Sequence, residues 1–390
     1  MTCTLCHWIK AEFERKLRNP RLLRIVFWTL LLILLSTPAF WTAKSAYTSI
    51  DPALVTESWE VVNDGLHNAF TDLIFWNDDF YLVYRSAHSH IDAHSKLVVL
   101  SSPNARSWEK LAGLALSGGD VRDPKLAIIG NRLFLYALKN VNIIAWPDST
   151  VFSTSEDGKI WLPWQAVRPQ GWLFGRPRTP DGLTWYVAAY SDQRKQTALF
   201  QSKDGKNWEE VSVIYSGEHQ SEAEIIFTQD GSLAAVIRLE GQSSTSVNST
   251  ASTLIASARP PYLNWSSTHS YVTRMDGPVL FTYGNSIFAA GRSEPENGIL
   301  FGTRGGLFNK KRTSIFWVSS LGLKKITDLP SEGDTSYPGI VIRGDEAYLS
   351  YYTNDIHKDL PWLLGQFSAT SIRIAKLNLP NLEQATTGLP

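Results

Sequence analysis

The sequence predicts an all-β chain, a six-bladed β-propeller preceded by an N-terminal transmembrane or signal helix, and three observations carry that expectation. Paired apolar strands around a tight turn recur six times. A Trp that follows a Ser-containing turn recurs between them, at Trp108, Trp161, Trp208 and Trp265, with spacings of 53, 47 and 57 residues. An uncharged run of 18 residues, 25–42, precedes every copy. Short strands repeating at about 50 residues are the signature of propeller blades.

From the N-terminus, residues 1–24 form a basic leader, 25–46 a signal anchor or a cleavable signal peptide, and 47–390 the propeller. The apolar run is near the minimum for crossing a bilayer, and the basic residues before it (Lys10, Arg15, Lys16, Arg18, Arg21, Arg24) belong on the cytoplasmic side. Small residues at Ala39, Ala43 and Ala46 keep cleavage open as the alternative. Either way the propeller lies outside the cytoplasm: periplasmic or extracellular if anchored through 25–42, secreted if cut. The whole chain carries 37 Lys+Arg and 37 Asp+Glu, but the first 50 residues hold seven basic and two acidic ones. The exported part is therefore mildly acidic, which excludes a strongly basic nucleic-acid binder. The two cysteines, Cys3 and Cys6, both lie in the leader. The propeller must hold by packing alone.

Each hairpin follows in turn. They start near Asp72, Asp123, Arg178, Glu224, Asp276 and Tyr337, the third of them short, in GRPRTPDGLTWYVAAY. Third strands are read at KLVVLS, STVFST, TALFQS, STLIAS, SIFWVS and SIRIAK. Two copies of the following turn fit S-x-D-G-x-x-W, Ser155–Trp161 and Ser202–Trp208. Asp there accepts from backbone N–H groups, Gly takes a positive φ, and Trp packs between units. The last hairpin lacks a fourth strand, and Ser58-Trp59-Glu60-Val61-Val62 resembles the fourth strands elsewhere. That segment, 58–62, is expected to complete the last blade and close the ring. Most of the 15 Trp are thereby explained without a ligand.

Residues equidistant from a hairpin turn share a rim. Counting outward pairs Glu224 with Arg238, Asp72 with Arg85, Asp276 with Arg292, and Tyr337 with Tyr351. One funnel mouth then receives Asp72, Arg122, Asp123, Arg176, Glu222, Glu224, Asp276 and Tyr337, with Arg85, Arg238 and Arg292 behind. Acids, arginines and a tyrosine converging from distant segments suit a charged sugar. No metal or cofactor is implied; His88, His90 and His94 are near one another but read as loop residues. Asn248-Ser249-Thr250 and Asn264-Trp265-Ser266 match the glycosylation acceptor pattern.

These features resemble the exo-sialidase (BNR/Asp-box) superfamily over residues of about 55–380. The segments His67-Asn68-Ala69-Phe70-Thr71-Asp72, Tyr84-Arg85 and Arg122-Asp123-Pro124-Lys125-Leu126 are similar to a bacterial sialidase-like branch. The resemblance implies a glycoside hydrolase acting on a terminal, acidic sugar of an extracytoplasmic glycan. By position it makes Tyr337 the nucleophile, Glu224 its base and Asp92 the acid/base, with Arg238 and Arg292 gripping a carboxylate. The family's first arginine, in R-I-P, is replaced by Ala69-Phe70-Thr71, leaving Arg122 or Arg176 as substitutes. Asp72, Arg122-Asp123-Pro124 and Glu222 or Glu224 also resemble the carboxylate triad of furanosidase propellers. A non-catalytic glycan-binding or scaffold propeller is the remaining alternative. It is distinguished by a mouth filled with side chains and by Tyr337 out of reach of Glu224.

Overall fold

The computed structural model describes residues 20–43, 46–142, 147–217, 219–241, 250–295, 298–299 and 304–387. Cys3, Cys6, the basic residues from Lys10 to Arg18, and the acceptor Asn248 lie outside them. Two units are separate, residues 1–45 and 46–390. In the first, Pro20–Ala43 forms one helix of 24 residues, where the apolar run predicts one. Among the described residues, however, no helix is long and apolar enough to cross a membrane.

In the second unit the described strands form six four-stranded antiparallel sheets. Blade one runs through His67–Trp76, Asp79–Ala87, Lys96–Ser102 and Glu109–Ala115, and the following blades open at Asp120, Leu173, Gln220, Asp276 and Ser336. Blade six takes its outer strand from the N-terminal side: Val55–Val62 pairs antiparallel with Ser371–Asn378, placing Trp59 opposite Ile374. The expected closure at 58–62 is present and slightly longer. This pairing gives blade six its fourth strand and ties the two ends of the described propeller together in one sheet.

Near-continuous apolar runs in the middle strands, such as Leu233–Leu239, are buried on both sheet faces against neighbouring blades. The core is accordingly a set of interblade layers. One joins Leu82, Tyr84 and Val98 of blade one to Ile372 and Ile374 of blade six, and another joins Phe134 and Phe152 of blade two to Phe200 and Trp208 of blade three. The Ser-x-Asp-Gly segments are tight turns as read. Asp204 Oδ1 accepts from the N–H groups of Lys206 and Asn207, Gly205 sits at φ +71°, and the Trp208 indole donates to the Gly205 carbonyl at 3.2 Å. Ser155–Trp161 repeats the set.

Blade three departs from expectation. Its inner strand is only Leu173–Phe174, and Arg178 makes an isolated bridge to Tyr186. Pro177 and Pro180 lack the N–H a ladder needs, so pairing stops there. That break leaves Arg176 and Arg178 free to reach across the axis.

Two levels on the central axis

The inner strands bring charged groups to the axis at two heights. At the deeper level Arg176 donates to Asp72 of blade one at 2.7 Å, to Glu224 of blade four at 3.1 Å, and to the Pro338 carbonyl of blade six at 3.3 Å. Arg178 donates to Glu224 at 2.7 Å and to the Leu280 carbonyl of blade five. Asp72 also accepts from the Leu126 N–H of blade two at 2.6 Å. One network thus touches all six blades. Asp72, Glu224 and Arg176 are buried, and their charged groups are matched to one another and to backbone groups. These three residues, expected at the mouth, are a plug.

The upper level opens into a cavity of about 270 Å³ with walls from every blade, among them Phe70, His90, Asp123, Tyr190, Glu222, Arg238, Arg274, Tyr337 and Trp362. A larger cleft of about 720 Å³ runs beside blade six, between Asn63, His357 and Arg373, away from the axis. The axial cavity is the candidate site because the convergent acids, arginines and tyrosine line it.

A ring of β-bulges shapes this mouth. The inner strands of blades one, two, four, five and six each shift register near their upper ends. Phe70, Asp123, Gly277 and Tyr337 sit there at φ +54°, +50°, +56° and +50°. Non-glycine residues in this region are strained, and bulges re-aim side chains beside active sites. At Gly277 the close approach is obligatory: a Cβ would stand 2.5 Å from the Tyr337 ring.

The bulges also correct the predicted pairings. Ala223 faces Ile237, so Glu222, not Glu224, is level with Arg238. Glu224 lies two residues, about 7 Å, further down the same strand face. Arg85 faces Ala69 rather than Asp72, whereas Tyr337 does come level with Tyr351: Tyr337 and Pro338 together stand opposite it, between the Ser336–Tyr352 and Gly339–Ser350 pairs. Asp276 does face Arg292.

Candidate active site

The Tyr337 hydroxyl donates to Glu222 Oε1 at 2.5 Å. Glu222 also holds Arg238 Nη1 at 2.8 Å and accepts the Gly277 N–H at 2.6 Å. Burial, then the Glu222 charge, pushes the phenol well above its ordinary pKa, with Arg238 opposing. Tyr337 is therefore a neutral hydroxyl with a base already in contact. Phe70 packs edge-on to its ring at 4.7 Å, and the Arg292 guanidinium lies 5.3 Å from the centroid.

Asp123 completes the group. Burial, then Glu222, pushes its carboxyl up to about 6, and its buried Oδ1 has no hydrogen-bond partner. A carboxyl that holds its proton near neutrality and faces a cavity can act as an acid. Asp92 does not share that place: its two oxygens accept the N–H groups of His88 and His94, both at 2.8 Å, and tie its own loop. Burial raises its carboxyl, but those two N–H groups override it and hold it below the ordinary range.

The arginines divide. Arg122, Arg238 and Arg292 line the cavity with Arg274, which sequence reasoning missed. The Arg274 signal was available in Arg274-Met275-Asp276, one side-chain period before the predicted Asp276. Arg85 is fully buried behind the wall, donating to Asp120 at 2.9 Å, and Arg122 shares that carboxylate. Asp276 is buried among Arg274, Arg238 and Arg292.

Asp334, also missed, anchors the opposite wall. Its Oδ1 accepts from Arg292, Tyr352 and the Trp362 indole, and its Oδ2 faces His67 at 3.0 Å and His90 at 2.7 Å. His67, His90 and Asp334 are close enough to share a metal ion, though hydrogen bonds already account for the contacts to Asp334. Burial lowers His90 to about 4, leaving it uncharged at neutral pH.

No protein-family model and no curated protein matches the sequence. Solved structures do match in shape. A protein of unknown function from Dyadobacter fermentans aligns with a TM-score of 0.63 at 16% identity, over 84% of this chain and all of the other. The phage phi92 endosialidase gives 0.62 at 10%, over 83% and 69%. Trypanosoma rangeli sialidase gives 0.60 at 14%, over 83% of this chain and 56% of its own. The fold defined here is the sialidase-like six-bladed propeller.

Proposed function

We propose that this protein is a glycoside hydrolase whose reaction centre is Tyr337, Glu222 and Asp123. The carrying observation is the Tyr337–Glu222 contact of 2.5 Å inside the axial cavity. Two of the structural neighbours are named as sialidases, which supports sugar hydrolysis in general. In the mechanism, Tyr337 Oη attacks the anomeric carbon while its proton passes to Glu222, and protonated Asp123 gives its proton to the departing glycosidic oxygen. Water then attacks the glycosyl–tyrosine bond, with Asp123 taking the water's proton and Glu222 returning one to Tyr337. We further propose that the propeller works outside the cytoplasm, on the strength of the basic leader and the apolar run.

The furanosidase-like triad loses Asp72, and Glu224 as its third member, because both are locked around Arg176; of its carboxylates Asp123 and Glu222 line the cavity. An open mouth argues against a pure scaffold. The test is hydrolysis of a fluorogenic glycoside panel by the full chain, followed by Tyr337→Phe on whichever glycoside is cleaved. A fall in kcat of about a thousandfold supports the mechanism. Turnover at the wild-type rate in Tyr337→Phe refutes the nucleophile.

A further inference from the structure

We infer that the glycone accepted by this cavity is an uncharged sugar, and that the arginines around it hold the wall together rather than a substrate carboxylate. The inference rests on the glycosidase reading and adds its substrate class.

Each arginine at the mouth is already matched to acids of the protein. Arg274 is forked onto Asp276, with Nε and Nη2 both at 2.8 Å, and its Nη1 donates to Glu240 at 2.6 Å. Arg238 reaches Glu222 at 2.8 Å, Glu240 at 2.7 Å and the Ser221 hydroxyl at 2.7 Å. Arg292 is spent on Asp334, Tyr352 and the Thr335 carbonyl. Arg122 leans on Asp120.

A substrate carboxylate seeking the planar fork of Arg274 finds Asp276 already there. Displacing it takes from buried Asp276 its nearest cation, leaving Arg292 at 3.4 Å and Arg238 at 3.7 Å; approaching beside it meets repulsion that opposes the attraction. The desolvation cost of the incoming charge is then compensated only in part.

The groups left over suit hydroxyls instead. Asp123, which lines the cavity, has in Oδ1 a buried acceptor without a donor. A sugar hydroxyl supplies that donor at no cost in charge. Phe70, Tyr190 and Trp362 provide apolar surface for C–H faces.

Pairs that differ at a single carboxylate test this: methyl galactoside against methyl galacturonide, methyl glucoside against methyl glucuronide, and the methyl ester of a methyl sialoside against the free acid. Binding is measured by titration calorimetry on full-length Tyr337→Phe protein, where no turnover intrudes. The expected result is that in each pair that binds, the neutral member binds about tenfold tighter or more. Glu240→Gln, which loosens one arm each of Arg238 and Arg274, is expected to narrow that gap. Equal or tighter binding of the acidic member overturns the inference while leaving the glycosidase reading intact. No binding by any member overturns both.

Discussion

The plug and the mouth use the same chemistry on the same inner strands, separated on blade four by the two residues from Glu224 to Glu222. In the plug, Asp72, Glu224, Arg176 and Arg178 satisfy one another and the backbone of all six blades, and little space remains. At the mouth, Asp123 keeps a bare oxygen, Tyr337 keeps a short contact to a base, and a cavity of about 270 Å³ stands in front of them. Convergence of charge is therefore no mark of function in this molecule. What marks the site is charge left unsatisfied beside space.

The largest contrast comes from deleting one member of each level. Glu222→Gln removes the base from Tyr337 and is expected to lower kcat by about a thousandfold. Its circular dichroism should stay near wild type and its melting temperature should fall less than in the plug variant below, since Arg238 keeps Glu240 at 2.7 Å. Arg176→Met does the converse, leaving Asp72 and Glu224 buried without their cation. The expected cost is about 3–5 kcal/mol of stability, read by chemical denaturation. If Arg176→Met abolishes turnover without loss of stability, the plug belongs to the active site and the division into levels fails.

This division also sets what could be read in advance. The blade count, the third strands, the closing strand and the Asp204-Gly205 turn were legible because each depends on local rules: paired apolar runs, turn chemistry and Trp spacing. The identity of the site's residues depended on register. Counting outward from the turn at Asp230 chose Glu224, whereas the observed pairing and the bulge beside Ala223 raise Glu222 to the mouth. Bulges at Phe70, Asp123 and Tyr337 are ordinary residues at positive φ, which no propensity announces. Arg176 was expected at the mouth with the other convergent charges, because nothing in the short hairpin GRPRTPDGLTWYVAAY announces that the strand stops before Pro177 and that Arg176 crosses the axis to Asp72 and Glu224. Asp92 was expected to be catalytic from position alone, and the loop's own N–H groups claim it.

Asp123 offers the finest distinction, because its strain should show as a penalty in stability that the plug does not pay. An acid whose folded pKa is raised binds its proton more tightly in the folded state. Its contribution is therefore most favourable below the unfolded value of 3.8, and it is lost as pH climbs through about 6. Above that, the native state carries a buried charge at Asp123 beside Glu222. Asp123→Asn removes that charge while keeping a group of the same shape. Melting followed from pH 4 to pH 8 should show the variant gaining on wild type as pH rises, by about 1–3 kcal/mol at pH 8. Activity should fall in the same variant, since an amide has no acidic proton to give. Wild-type kcat should likewise decline above about pH 6 as Asp123 ionises, provided the bound substrate leaves its pKa in place. A stability difference that is flat with pH would mean that Asp123 is already paired, and the contrast between a satisfied plug and an unsatisfied mouth would then rest on Tyr337 and Glu222 alone.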